Sequence, residues 1–248
     1  MQTLTGILRL LIGLPLLLIA CLMMTAVGWV PLKIKGYSLA QWFSTIWTRL
    51  AIPVFGLRIR CNNSKVFWGH TGFVFANHSS YADVFVVLHQ LPFRFLAAAE
   101  YLAWPFIGWA GKAAGTFPVD RSSMRSRAEA IIKLGKITHF PALALFPEGI
   151  IGPLGELQPF YHAVFKICAE NRIPYILCAI VYDDVPTMGW GDEPIAHAVW
   201  RMVRARKPQY AELRVLRVVC PNPEDNPRQL ATEAHRDVAQ ALGYEAKM

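Results

Sequence analysis

Twenty-three consecutive residues without a charge, Leu10 to Leu32, narrow what this chain can become more than any other feature. A helix rises about 1.5 Å per residue, so roughly 20 apolar residues cross a hydrocarbon core about 30 Å thick. The segment is long enough to span, and Gly13 and Pro15 near its start permit a kink that bilayers tolerate. Arg9 precedes it and Lys33 and Lys35 follow, a bias that places the rest of the chain on the cytoplasmic face of a membrane. Leu18-Ile19-Ala20-Cys21 has the form of a lipoprotein cleavage box, and Ala26-Val27-Gly28 that of a signal-peptidase site. The apolar run continues through Met23, Met24, Val27, Trp29 and Val30, however, which argues against an export signal.

A second segment, Ser38–Phe55, gathers Trp42, Phe43, Ile46, Trp47 and Leu50 on one helical face, with Arg49, Arg58 and Arg60 nearby. Two tryptophans and flanking arginines suit a helix at headgroup level. A core helix packed on the domain fits the same pattern. The two segments together either span the bilayer or form a hairpin dipping into one leaflet, and the sequence leaves both open.

After Gly56 the pattern changes. Runs with strand character occur at Leu57–Cys61, Phe73–Asn77, Phe93–Ala97, Ala142–Phe146, Tyr175–Tyr182 and Leu213–Val219. Helical stretches separate them, near Tyr81–Gln90, Tyr101–Ala114, Arg125–Thr138, Phe160–Asn171, Pro194–Arg206 and Arg228–Leu242. This alternation predicts an α/β fold: a single domain with a mostly parallel or mixed central sheet flanked by helices, preceded by N-terminal membrane helices. Ala142–Phe146 and Ile176–Val181 are apolar throughout, as central strands covered on both faces should be. Asp183–Asp192, with Pro186, Gly189 and Gly191, reads as a long loop.

The chain is 54% hydrophobic and 17% charged, against roughly a quarter charged in ordinary soluble domains. Its net charge of +8 is scattered, and no nucleic-acid motif accompanies it, so no nucleic-acid partner is expected. Lipid headgroups or phosphorylated substrates suit that charge better. Arg201, Arg204, Arg206 and Lys207 read most simply as a solvated helix end. Cys21, Cys61, Cys168, Cys178 and Cys220 lie far apart without metal-ligand spacing, so free thiols and no metal are expected.

Chemistry-bearing residues begin where the strand Phe73–Asn77 runs into His78-Ser79-Ser80-Tyr81-Ala82-Asp83. On one regular helix His78 and Asp83 would not share a face. They meet if His78 occupies the loop after the strand and Asp83 the first turn of the next helix. The carboxylate then accepts the imidazole N–H and fixes its tautomer, and the other ring nitrogen is free to take a proton from an alcohol. An Asp at a helix start is also an ordinary cap, so this spacing alone is weak. Three further segments follow in order. Gly115-Thr116-Phe117-Pro118-Val119-Asp120-Arg121 ends in an arginine suited to a phosphate. Phe146-Pro147-Glu148-Gly149 puts a carboxylate at the C-terminal end of a strand, where open α/β sheets bind ligands. Ile173-Pro174 opens the apolar strand Tyr175–Tyr182.

Taken together, these blocks resemble the glycerolipid acyltransferase family, which includes 1-acylglycerol-3-phosphate acyltransferases, over roughly residues 55–185. Asn77–Asp83 matches the family's His-x4-Asp block, Gly115–Arg121 its second block and Phe146–Gly149 its third. The resemblance implies that residues 1–56 are membrane-anchoring helices and residues 57–248 an acyltransferase catalytic domain. It implies His78 as general base, Asp83 as its orienting partner, and Asn77, Ser80, Gly115, Arg121, Pro147, Glu148 and Gly149 as substrate-binding positions. The acyl group would pass from acyl-CoA or acyl-carrier protein, as co-substrate rather than cofactor, to a lysolipid hydroxyl at a membrane lipid bilayer.

Several positions depart from the family pattern. Ile150-Ile151-Gly152 stands where Thr-Arg-Ser is frequent, and Ala97–Leu102 lacks a frequent lysine. Phe160-Tyr161-His162-Ala163 replaces a Phe-Lys-x-Gly, and Leu177 stands where a second proline is typical. The lost cations weaken the case for a lysophosphatidate acceptor and leave the His/Asp chemistry intact. A CoA-independent transacylase and a non-catalytic lipid-binding membrane protein remain as alternatives.

Overall fold

The computed structural model describes residues 2–120, 123–136, 140–153, 155–190 and 193–244. Helix α1 (Gln2–Val27) holds the apolar run as far as Val27 and carries Pro15 inside it. A small hairpin of β1 (Lys33–Ile34) and β2 (Tyr37–Ser38) turns the chain into α2 (Leu39–Ala51). Ser38 and Gln41 form a capping box at the start of α2. The predicted segment Ser38–Phe55 divides, its last four residues, Ile52–Phe55, tightening into a 3-10 turn with Pro53 second and ending at the left-handed Gly56.

The domain continues as β3 (Leu57–Cys61), β4 (Phe73–Phe75), α3 (Asp83–Leu88), β5 (Arg94–Ala98), α4 (Ala99–Leu102), α5 (Ile107–Ala113), β6 (Phe117–Val119), α6 (Met124–Lys136) and β7 (Leu143–Leu145). It closes with α7 (His162–Glu170), β8 (Tyr175–Tyr182), α8 (Val185–Met188), α9 (Ile195–Val203), β9 (Gln209–Val219) and α10 (Pro227–Leu242). Seven strands form one sheet in the order β3-β9-β8-β4-β7-β5-β6. The block β8-β4-β7-β5-β6 is parallel, β9 runs antiparallel to β8, and β3 is parallel to β9.

The period of two along β8 separates the molecule into layers. Ile176, Cys178, Ile180 and Tyr182 face a cluster with Val86, Val87 and Ile52 under α2 and α3. Tyr175, Leu177 and Ala179 face the opposite cluster with Phe165, Ala234 and Val238 of α7 and α10. Because β8 is covered on both sides, its near-continuous apolar run is what that position demands.

Four expectations need correction. The single helix expected over Tyr101–Ala114 is two short ones, because Pro105 interrupts it and Phe106 takes a left-handed φ of 63°. The strand expected at Leu213–Val219 begins four residues earlier, at Gln209, since it pairs along both β3 and β8. Within the expected loop Asp183–Asp192, Val185–Met188 forms one helical turn capped by the Asp184 carboxylate. The helix expected over Phe160–Asn171 starts at His162, because Pro147 accepts the Tyr161 N–H and holds that residue extended.

Helix α1 lies against the domain. Arg9, which directly precedes the apolar run, donates from Nη1 to the carbonyls of Val203 and Ala205, each at 2.8 Å. Gly6 abuts Trp200, Gly13 abuts Phe55 and Gly28 abuts Ala113, so contacts run along most of the helix. In α2 the buried positions are Ala40, Gln41, Ser44, Thr45, Thr48 and Ala51, while Ile46 and Leu50 are exposed. Trp42, Phe43 and Trp47 are half-buried, so the exposed apolar edge of α2 is Ile46 and Leu50, where an ordinary core helix would turn such residues inward.

Gly72 leads into β4 with φ +135°, and a Cβ there would sit 2.1 Å from the Pro174 carbonyl oxygen. Gly72→Ala is expected to lower unfolding stability by about 3 kcal/mol, measured by denaturant titration in detergent.

Candidate active site

Three neighbouring parallel strands, β8, β4 and β7, deliver their C-terminal ends to one place. After β4 the chain leaves the sheet, and the Asn77 side chain replaces the missing backbone pairing. Its Nδ2 donates to the Ile180 carbonyl at 3.1 Å, and its Oδ1 accepts the Ile180 N–H at 2.7 Å. His78 follows in the loop, and Asp83 is the first residue of α3.

The structure brings His78 and Asp83 together, with imidazole Nδ1 2.8 Å from Asp83 Oδ2. The same oxygen accepts the backbone N–H groups of Ser79 and Ser80, each at 2.8 Å. The other carboxylate oxygen accepts the Tyr182 hydroxyl at 2.5 Å. Asp83 is fully buried, so these four donors replace the water that a carboxylate would otherwise require. A carboxylate holding Nδ1–H fixes the tautomer whose Nε2 carries the lone pair. Nε2 has no hydrogen-bond partner among the described residues, and the imidazole is partly open to solvent.

The second carboxylate ties two loops to this unit. Glu148 Oε1 accepts the His78 N–H at 2.5 Å, and Oε2 accepts the Gln158 N–H at 2.8 Å. The Gly152 N–H donates to the His78 carbonyl at 2.7 Å. Phe146 stacks on the imidazole, centroids 4.1 Å apart and planes 12° from parallel. Gly149 has φ +72°, and a Cβ there would meet the Tyr161 ring at 2.7 Å. Burial raises the Glu148 carboxyl to about 7, opposed by its two backbone donors and reinforced by the charge of Asp83.

A third segment closes over the loop from the far side. Ser80 Oγ donates to the Met188 carbonyl at 2.6 Å, and the Trp190 N–H donates to the Ser79 carbonyl at 2.8 Å. Arg201 of α9 holds this segment in turn, donating to the Thr187 and Gly189 carbonyls and to the Glu193 carboxylate.

Of the positions singled out in the sequence, His78, Ser80, Asp83 and Glu148 form one hydrogen-bonded assembly, with Asn77, bonded to Ile180, and Pro147 and Gly149 beside it. Gly115 sits apart in chain terms, at the left-handed turn between α5 and β6, with Arg94 and Gln41 as neighbours. Arg121 lies outside the described residues. Tyr182 and Trp190 are the residues that sequence reasoning missed. Tyr182 ends an apolar strand and reads as one more core residue. Only its placement on the Asp83 side of β8, two residues beyond Ile180, marks it.

Tyr182→Phe leaves one oxygen of a buried carboxylate without a donor, and a loss of about 1–3 kcal/mol in stability is expected by denaturant titration. Glu148 gives a pH signature. Its folded value lies above the unfolded one, so the folded state binds the extra proton and stability falls as pH rises from about 4.5 to about 7. The fall is about 3 kcal/mol. Glu148→Gln is expected to flatten it, seen by comparing unfolding midpoints at the two ends of that window.

The Acyltransferase family model matches residues 58–181, half of the chain, and spans the loop of His78, Asp83 and Glu148. The lyso-ornithine lipid O-acyltransferase of Rhodobacter capsulatus is 26% identical over 62% of this chain and 55% of its own length. The 1-acyl-sn-glycerol-3-phosphate acyltransferase of Neisseria gonorrhoeae is 28% identical over 54% of this chain and 55% of its own. The chain spans about half the length of the curated relatives it matches. The crystal structure of the 1-acyl-sn-glycerophosphate acyltransferase PlsC from Thermotoga maritima superposes with TM-score 0.72 at 16% identity, covering 100% of this chain and 98% of that one, a likeness of fold. With the match running from β3 to the end of β8, the chain belongs to the Acyltransferase family.

Proposed function

We propose that this chain transfers a fatty acyl group from a thioester to the hydroxyl of a lysolipid at a membrane surface. The observation that carries the reading is the His78 Nδ1–Asp83 contact of 2.8 Å, which leaves Nε2 unpartnered at the ends of three converging strands. Nε2 takes the proton of the acceptor hydroxyl as its oxygen attacks the thioester carbonyl. The tetrahedral intermediate then collapses, the C–S bond breaks, and the departing sulfur takes the proton back from the imidazolium. Asp83 holds the ring and balances its transient charge, and no enzyme nucleophile is required. Acyl-CoA and acyl-carrier protein both present the necessary thioester.

A specific observation bears on the acceptor. Gly152 bonds to the catalytic loop, so Ile150-Ile151-Gly152 stands next to His78 without offering a cation. That favours a lysolipid whose headgroup is not a bare phosphate, of the kind named for the lyso-ornithine lipid relatives, over 1-acylglycerol-3-phosphate. The outward apolar residues of α2 and the length of α1, apolar over Thr3–Val27, support placement at a bilayer. Contacts from Gly6 to Gly28 favour α1 lying with the domain on one leaflet over α1 crossing alone, and the cytoplasmic leaflet fits Lys33 and Lys35.

Detergent-purified protein given acyl-CoA or acyl-carrier protein with a panel of lysolipids is expected to release thiol and form the diacyl product, fastest with lyso-ornithine lipid. His78→Ala is expected to lose about 10²–10⁴-fold in rate. Wild type releasing no more thiol than His78→Ala across the panel overturns the reading, and product formed without any thioester indicates transacylation instead.

A further inference from the structure

Away from the catalytic loop, a cavity of about 500 Å³ wraps the free edge of β3. Arg49, Arg58, Arg60 and His89 line it, and among the described residues no acidic one does. Arg49 is held in place, donating from Nε to the His89 carbonyl at 2.8 Å and from Nη2 to the Gln90 carbonyl at 2.6 Å. Arg60 lies over the Tyr210 ring at 4.9 Å. None of the three guanidinium groups has a carboxylate within salt-bridge reach among the described residues. The pressure of Arg49's charge shows on its neighbour: burial and Arg49 together hold His89 below the usual histidine range. Three cations line one concavity, the nearest carboxylate in register, Glu212 opposite Arg60, being engaged by Arg214; together they form an anion site, and guanidinium forks match phosphate oxygens in pairs.

The surroundings say which anion. Arg49 sits on α2, the helix whose Ile46 and Leu50 point outward, and the cavity's Ile52 and Pro53 lead to Phe55, which packs against α1. The cations thus border the apolar surface proposed to meet the bilayer, at the level where headgroup phosphates lie. We propose that the Arg49–Arg58–Arg60 cleft binds the phosphodiester of an anionic phospholipid and thereby sets how the domain sits on the membrane. The inference rests on the membrane placement given under the proposed function.

The test is flotation of the full-length protein with vesicles of phosphatidylcholine alone and of phosphatidylcholine with phosphatidylglycerol. Binding to the neutral vesicles tests the apolar face by itself, and its absence overturns the placement. The gain on adding phosphatidylglycerol tests the cleft. Arg58→Gln/Arg60→Gln is expected to lower partition onto the anionic vesicles by about thirtyfold while neutral binding stays. A matched control, Arg228→Gln/Arg236→Gln on α10 across the sheet, removes equal charge and is expected to change partition by less than about twofold. Equal losses in both double variants overturn the cleft in favour of general net charge. An unchanged gain in Arg58→Gln/Arg60→Gln, with or without aggregation, overturns it in favour of plain edge protection. Loss of the gain in the presence of adenosine 3′,5′-bisphosphate, at a concentration where equal ionic strength of sodium chloride leaves it, reassigns the cleft to the nucleotide of a CoA donor.

Discussion

A carboxylate taken fully out of water is the constraint around which this molecule is arranged. Asp83 keeps its place because four donors converge on it from separate parts of the chain: His78, the Ser79 and Ser80 amides, and Tyr182. An uncompensated charge in that position would cost several kcal/mol, comparable to the net stability of a whole domain. The loop after β4 must therefore bend so that two successive N–H groups point at the start of α3, and β8 must end one residue to the correct side. Glu148 then fixes the same loop from β7 by accepting the His78 amide. Geometry at the imidazole is thus a consequence of satisfying buried carboxylates as much as of any requirement of chemistry.

How much of this the sequence disclosed depends on the range over which each interaction acts. Within the segment from Asn77 to Asp83, a strand followed by a helix start already implies a loop in which the two residues can meet. The apolar strands Ala142–Phe146 and Tyr175–Tyr182 announce their central positions, because only strands covered on both faces can afford such composition. Tyr182 was illegible for the opposite reason. Its partner is 99 residues away, and only the register of β8 beside β4 brings the two together. The break at Pro105 had a local signal in the proline itself, but apolar periodicity on both sides of it masked the turn. The strand β9 starts early because two neighbours pair with it, which no local pattern records.

The sequence likewise could not say which face of α2 looks outward. Trp42, Phe43, Ile46, Trp47 and Leu50 define an apolar stripe whether it meets a core or a lipid. The structure decides by burying the small and hydroxyl-bearing residues instead, with Ser44 and Thr48 returning their hydroxyls to carbonyls one turn back or less. Such residues let helices approach closely, while Ile46 and Leu50 stay exposed and Trp42 packs partly against the core.

The way α1 is seated has a bearing on how this architecture could be modified. A tether needs only length and hydrophobicity, and one tether can be exchanged for another. Here the helix is keyed: Gly6 and Gly13, with Gly28 just past its end, admit Trp200, Phe55 and Ala113, and Arg9 reaches across to carbonyls at and just after the end of α9. Since α9 also carries Arg201, which grips the segment over Ser79 and Ser80, the helix and the loop from His78 to Asp83 share a common support. A chimera carrying an unrelated apolar helix in its place would keep the length and lose the keyed seat, leaving the domain on a leash.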